Sequence, residues 1–160
     1  MKRLLPVFVA ILALAAPPAA RADSSLIVIG KSIGAVRLGM AKADVVRIYG
    51  KPKRAERFEF ASGEHGLLAV YTKHGGTFRV EYAHGVVVGV LTAARYYRTS
   101  GGTGPGSPVA QAARLPGFRF DPCTGGYVRQ AVWAVTFFVP LREDGPVKYA
   151  EIYSLGYFDC

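Results

Sequence analysis

Hydrophobic and polar positions change period along the chain, and the changes mark out its elements. Ala41, Val45, Ile48 and Tyr49 recur at helical spacing, with Lys42 and Arg47 off that face. This predicts a short amphipathic helix. Gly50 supplies a left-handed C-terminal cap and Pro52 prevents resumption. The start is weaker: Ala41 stands where a Ser or Thr cap belongs, a loss of about 1 kcal/mol that Asp44 near the positive helix end offsets only in part. From 57 to 61 the period drops to two, with Phe58 and Phe60 on one side and Arg57 and Glu59 on the other. Further strands are predicted over 67–73, 77–83 and 86–92, divided by turns at His74-Gly75-Gly76 and His84-Gly85. In 77–83, Phe78, Val80 and Tyr82 alternate with Arg79 and Glu81, whereas 86–92 is apolar on both faces. Connections this short favour an antiparallel meander.

The second half repeats this layout. Gly101–Gly106 reads as a flexible linker or loop. A short helix follows, with Ser107 able to cap it, Pro108 suited to its first turn and Pro116-Gly117 ending it. Strands are then predicted over 127–129 (weak), 131–139 and 147–158, the last after a Glu143-Asp144-Gly145-Pro146 turn. Trp133, Val135 and Phe137 would share one face. At an offset of 67, Gly39 falls on Gly106, Ala43 on Ala110, Arg47 on Arg114 and Ile48 on Leu115, a layout that points to an internal repeat.

Charge and the chain start narrow the setting. Lys2-Arg3, an apolar run over 4–16, Pro17-Pro18 and the small-x-small Ala20-Arg21-Ala22 make a secretory signal peptide over residues 1–22. No Cys follows the run to accept a lipid, and no later stretch is apolar and long enough to span a bilayer. Without residues 1–22 the chain has 160 − 22 = 138 residues, with 17 basic and 11 acidic groups, net +6. A periplasmic or secreted protein is expected. Cys123 and Cys160, the two cysteines, read as one disulfide in an oxidising compartment. By chain entropy that link stabilises by about 4 kcal/mol.

Catalytic chemistry finds little support. Gly30-Lys31-Ser32 resembles the end of a phosphate loop, but Ser25 stands where its first glycine is needed. His65, His74 and His84 lack the spacing that places two imidazoles on one helical face. The acids are scattered, and no Ser sits in a nucleophile elbow. No cofactor, metal or nucleic-acid partner is expected. Lys51, Lys53, Arg54 and Arg57 form a basic cluster after the first helix, and Arg95 and Arg98 flank Tyr96-Tyr97. At a cell surface such groups attract anionic polymer or lipid. Tyr149, Glu151 and Tyr153 share a face of the last strand, an interface-like composition.

The run from Ile33 to Pro52, with Leu38-Gly39-Met40, Val45, Gly50 and Pro52 in place, resembles a signature of small envelope proteins. These are the SmpA/OmlA-type lipoproteins of outer-membrane assembly and the tandem-repeat β-lactamase inhibitor proteins. Ala41 departs from the usual Thr or Ser. The resemblance implies short helices packed on one face of an antiparallel sheet, with the other face free to bind protein.

Together these readings predict an α+β protein of two tandem units, residues 23–94 and 95–160. Each would carry one or two short helices on one face of an antiparallel β-sheet. The expected function is non-catalytic binding of an envelope or extracellular protein through Arg57, Glu59, Tyr71, Lys73, Arg79, Glu81, Tyr149, Glu151 and Tyr153, taken to lie opposite the helices. The alternative is a basic module binding anionic surface polymer or lipid through Lys51, Lys53, Arg54 and Arg57. A hydrolase of unknown class comes third.

Overall fold

The computed structural model describes residues 25–142 and 144–157. The expected signal peptide, Glu143 and Cys160 lie outside them. Three two-residue strands, β1 (Ile27–Val28), β2 (Ser32–Ile33) and β3 (Val36–Arg37), precede the helix α1 (Lys42–Tyr49). Four strands follow: β4 (Arg54–Glu59), β5 (His65–Lys73), β6 (Gly76–Ala83) and β7 (Val86–Thr92). The second helix, α2 (Val109–Ala113), leads into β8 (Arg119–Asp121), β9 (Gly126–Gln130), β10 (Ala134–Pro140) and β11 (Val147–Ser154). A single 3-10 turn, Leu155–Tyr157, comes next.

The expected α+β arrangement of two helix-on-sheet units does not form. Among the described residues 48% are in strands and 12% in helices. β4 to β11 make one continuous eight-stranded antiparallel sheet, in the order β4-β5-β6-β7-β11-β10-β9-β8. The cause lies in β7 and β11. β7 is apolar on both faces, the composition of a central strand. It pairs with β11 from Gly89↔Tyr153 to Thr92↔Ala150, fusing two meanders along one seam. The helices are too short to define units of their own. α2 has five residues, held between Pro108 and Pro116.

One face of the sheet carries the main core. Tyr71, Phe78, Val80, Tyr82, Val90, Phe138, Ala150 and Ile152 pack there beneath Val45 of α1, Ala112 of α2 and Ile27, Ile33 and Val36 of the small sheet. α1 follows its sequence pattern in part: Val45 is buried and Tyr49 packs against the core, but Ala41 and Ile48 of the expected apolar face are exposed. Gly50 has φ 80° with its N–H donating to the Val46 carbonyl, and Ala41 makes no side-chain cap. The hairpin turns at His74-Gly75 and His84-Gly85 place both residues of each pair at positive φ, as a type I′ turn requires.

Three local readings are corrected. Ser107 does not cap α2; its hydroxyl accepts from Gly104 N–H (3.1 Å) and from Arg98 Nη1 (3.0 Å). The segment from Gly101 to Gly106 is therefore a loop tied by hydrogen bonds rather than a flexible linker, and Thr103 within it is buried. Trp133 lies before β10 and is 82% exposed, while Val135 and Phe137 are buried in the strand. No helix among the described residues is long and apolar enough to cross a membrane.

Candidate recognition site on the helix-free sheet face

Register decides which side chains share the face opposite α1 and α2. Leu68 pairs with Glu81, and Glu81 with Gly89, which pairs with Tyr153. Val70 pairs with Arg79, Arg79 with Leu91 and Leu91 with Glu151. These two rows cross the middle of the sheet on its helix-free side. Its two ends are filled by small apolar clusters. Phe58, Phe60, Ala83 and Val88 pack with Tyr157 at one end. Val128, Val135, Phe137, Val139, Tyr153 and Leu155 pack at the other. Between them lies a cavity of about 420 Å³ walled by Arg79, Glu81, Leu91, Tyr149, Glu151 and Tyr153.

Polar groups converge in that cavity. The Tyr153 hydroxyl donates to Glu81 Oε1 at 2.9 Å. Burial, aided by the nearby Glu81 charge, pushes the Glu151 carboxyl up from its ordinary 4.5 to about 7, against a hydrogen bond from Tyr153 and the charge of Arg79. Glu81 is raised too, chiefly by burial. Burial and both carboxylates drive the Tyr153 hydroxyl upward, so it stays a donor. Neither carboxylate forms an ion pair among the described residues. Arg79 and Lys148 also line the cavity, but neither lies within ion-pair distance of the two acids, so these poorly solvated carboxyls still favour direct contact with an incoming ammonium or guanidinium group.

Gly89 makes this geometry possible. A Cβ at Gly89 would fall 2.8 Å from Tyr153 Cδ1, inside van der Waals contact. Gly89→Ala is therefore expected to swing the Tyr153 ring away from Glu81 and destabilise the fold by about 1–3 kcal/mol. Urea denaturation would measure the loss. Tyr153→Leu in the same background should recover part of it.

Five of the nine expected contact residues lie on this face: Arg79, Glu81, Tyr149, Glu151 and Tyr153. The other four do not. Arg57 pairs with Leu67, and Leu67 with the core residue Tyr82, so Arg57 and Glu59 lie on the helix-bearing side. Tyr71 is only 2% exposed, with its ring edge-on to Tyr49. Lys73 donates from Nζ to the Tyr49 carbonyl at 3.0 Å, closing the C-terminal end of α1. For Arg57 and Glu59 the reason lies in β4. Phe58 of β4 and Phe60 just after it pack on the helix-free face with Tyr157, not under a helix.

The basic cluster is divided as well. Arg54 and Arg57 alternate to opposite faces, and Arg54 is ion-paired with Glu56. Arg57 lines a separate cleft of about 590 Å³ with Lys42, His65 and His84, on the helix-bearing side. Lys51 and Lys53 are exposed before β4. The histidines serve turns and contacts: His84 pairs with Glu64 at 2.8 Å, and His74 stacks on Tyr96 with ring centres 3.7 Å apart. Tyr97 is core, and Arg98 donates to the Pro105 carbonyl at 2.7 Å, so the Arg95–Arg98 segment holds a loop in place. Cys123 sits in the β8–β9 turn, where its N–H donates to Asp121 Oδ1 at 3.4 Å. Its expected partner Cys160 lies outside the described residues.

No protein-family model matches the sequence, and no curated protein matches it. Solved structures do resemble its fold. A cysteine-rich secretory protein from Staphylococcus aureus superposes with a TM-score of 0.58 at 10% identity, over 74% of this chain and 44% of its own. An extracellular protein containing an SCP domain from Bacillus anthracis gives 0.59 at 12% identity, over 89% of this chain and 50% of its own. The uncharacterised protein YfeY from Escherichia coli gives 0.54 at 9% identity, over 78% of this chain and 97% of its own. The chain spans half or less of the length of the first two. Neither the outer-membrane assembly lipoproteins nor the β-lactamase inhibitor proteins are among these three.

Proposed function

We propose that the chain is an exported, non-catalytic protein-binding module whose helix-free sheet face receives a basic side chain of an envelope or extracellular protein. The observation that carries this reading is the pair Glu81 and Glu151, drawn together with Tyr153 in an open cavity and lacking an ion-pair partner among the described residues. A partner's Lys or Arg would make the direct ion pair that Arg79 and Lys148 of the cavity wall do not, and Tyr149 and Leu91 would add area around it. Export rests on the composition of residues 1–22, and the secretory and extracellular descriptions of two fold neighbours support it.

A photo-reactive phenylalanine analogue at Tyr149, in the exporting cell, tests the reading against the same analogue at Ile48, which is 45% exposed on α1. One adduct of defined size is expected from position 149 and none from 48. Changing Glu81→Gln and Glu151→Gln together should weaken the adduct about tenfold or more. No adduct from 149, or one indifferent to both carboxylates, overturns the proposal.

A further inference from the structure

The far edge of the sheet differs in chemistry from the site above and owes nothing to it. Its outermost strand β8 pairs only with β9, and β9 leads through a tight hairpin into β10, closed by Ala131 N–H donating to the Ala134 carbonyl at 2.7 Å. At the hairpin tip Val132 is 76% exposed and Trp133 82%. Phe120 on β8 is 48% exposed. Trp133 is the only tryptophan of the chain, and its neighbours do not shelter it.

The charges around this edge have one sign. Arg114, Arg119 and Arg129 are exposed, and none forms an ion pair among the described residues. Asp121 is the only acid from 82 to 142, and its carboxylate is turned into its own turn, accepting from Thr124 Oγ1 at 3.0 Å. Lys31 adds a further exposed cation beside Gly30, whose backbone lies against Ala131. A protruding apolar tip with Arg119 and Arg129 on the two faces of the strands behind it fits a surface that is soft, apolar beneath and anionic above. Tryptophan favours the boundary between headgroups and acyl chains, and each cation close to an anionic leaflet strengthens attachment.

We propose that this edge is a lipid-docking surface. Val132 and Trp133 enter the headgroup layer of an anionic bilayer, and Arg114, Arg119 and Arg129 meet its phosphates. Arg119 shares the helix-free face with Glu151 but stands three strands away from it in the row Arg119–Val128–Phe137–Glu151, so docking by this edge leaves the cavity at Glu81 and Glu151 available to a protein.

Trp133 is its own reporter. The exported protein is mixed with vesicles of phosphatidylglycerol and phosphatidylcholine in equal parts, and with phosphatidylcholine alone. Emission should shift to the blue, and brominated acyl chains should quench it, only on the anionic vesicles. Both effects should fade as salt rises. Arg119→Gln with Arg129→Gln should lower vesicle affinity about tenfold or more, with far-UV circular dichroism unchanged. Trp133→Ser should reduce sedimentation with the vesicles. The proposal is overturned if Trp133 emission does not move, if it moves equally on neutral vesicles, or if the protein sediments with vesicles while Trp133 remains open to acrylamide. A blue shift that grows with protein concentration without lipid would instead mean that a second copy covers the tip, and would also overturn it.

Discussion

Raising the pH from about 5 to about 8 is expected to weaken the fold by about 3 kcal/mol through Glu151 alone. In the unfolded chain this carboxyl ionises near its ordinary 4.5; in the folded one, burial first and the Glu81 charge second hold its proton until about 7. Between those values the folded state binds more protons than the unfolded one, so stability falls as pH rises and levels off above the folded value. Below the unfolded value both states are protonated and Glu151 contributes nothing. Glu81 is raised in the same direction and adds to the slope. Urea titrations across this range would show it, and Glu151→Gln isolates it. The variant should match the parent at about pH 5 and exceed it at about pH 8. Parallel curves for the two proteins would mean that Glu151 is well solvated or already neutralised. The sign has a functional side: the proposed site is costly to keep ionised and empty, and a bound cation would relieve that cost.

Phe78→Ala is expected to destabilise the fold by about 3–5 kcal/mol. Phe78 is fully buried on β6, with ring centres 5.1 Å from Tyr49 and 5.3 Å from Tyr97. It thus joins α1, the central strands and the segment after β7 in one aromatic group. Whole domains are stable by about 5–15 kcal/mol, so this one truncation takes a large share. Phe120→Ala, at a half-exposed edge site, should change little. A thermal or urea series would separate the two. Similar losses at both positions would show that the core does not centre where the structure places it.

Periodicity in the sequence was a good guide to strands and a poor guide to sides. β5, β6, β7 and both His-Gly turns fall where alternation and glycine put them, because each alternates cleanly or is apolar throughout. Alternation divides a strand into two faces but does not say which one a helix will cover. In β6 the aromatic face is the covered one. In β4 the aromatic face lies on the other side, where Tyr157 meets it from almost a hundred residues away. That contact leaves no trace in local pattern. The two-residue strands β1 to β3 and the three-residue β8 are too short to show a period. The joining of the halves was legible only as the apolar run of β7, which asks for neighbours on both edges without naming them. Of the site, Tyr149, Glu151 and Tyr153 could be grouped from one strand's alternation. Their meeting with Glu81 depended on the β7–β11 pairing and on the small residue Gly89 between them.

That pairing also fixes an order of events as the chain emerges. β4 to β7 can zip up by short local closures, and so can β8 to β11 among themselves. The middle of the sheet, however, is stitched by the strand synthesised last in each meander. Until β11 arrives, β7 presents an open row of amide and carbonyl groups bordered by valines, the kind of border to which strangers add. A nascent molecule is thus most vulnerable to misjoining at its centre rather than at its rims, and two molecules caught at that stage could trade their closing strands.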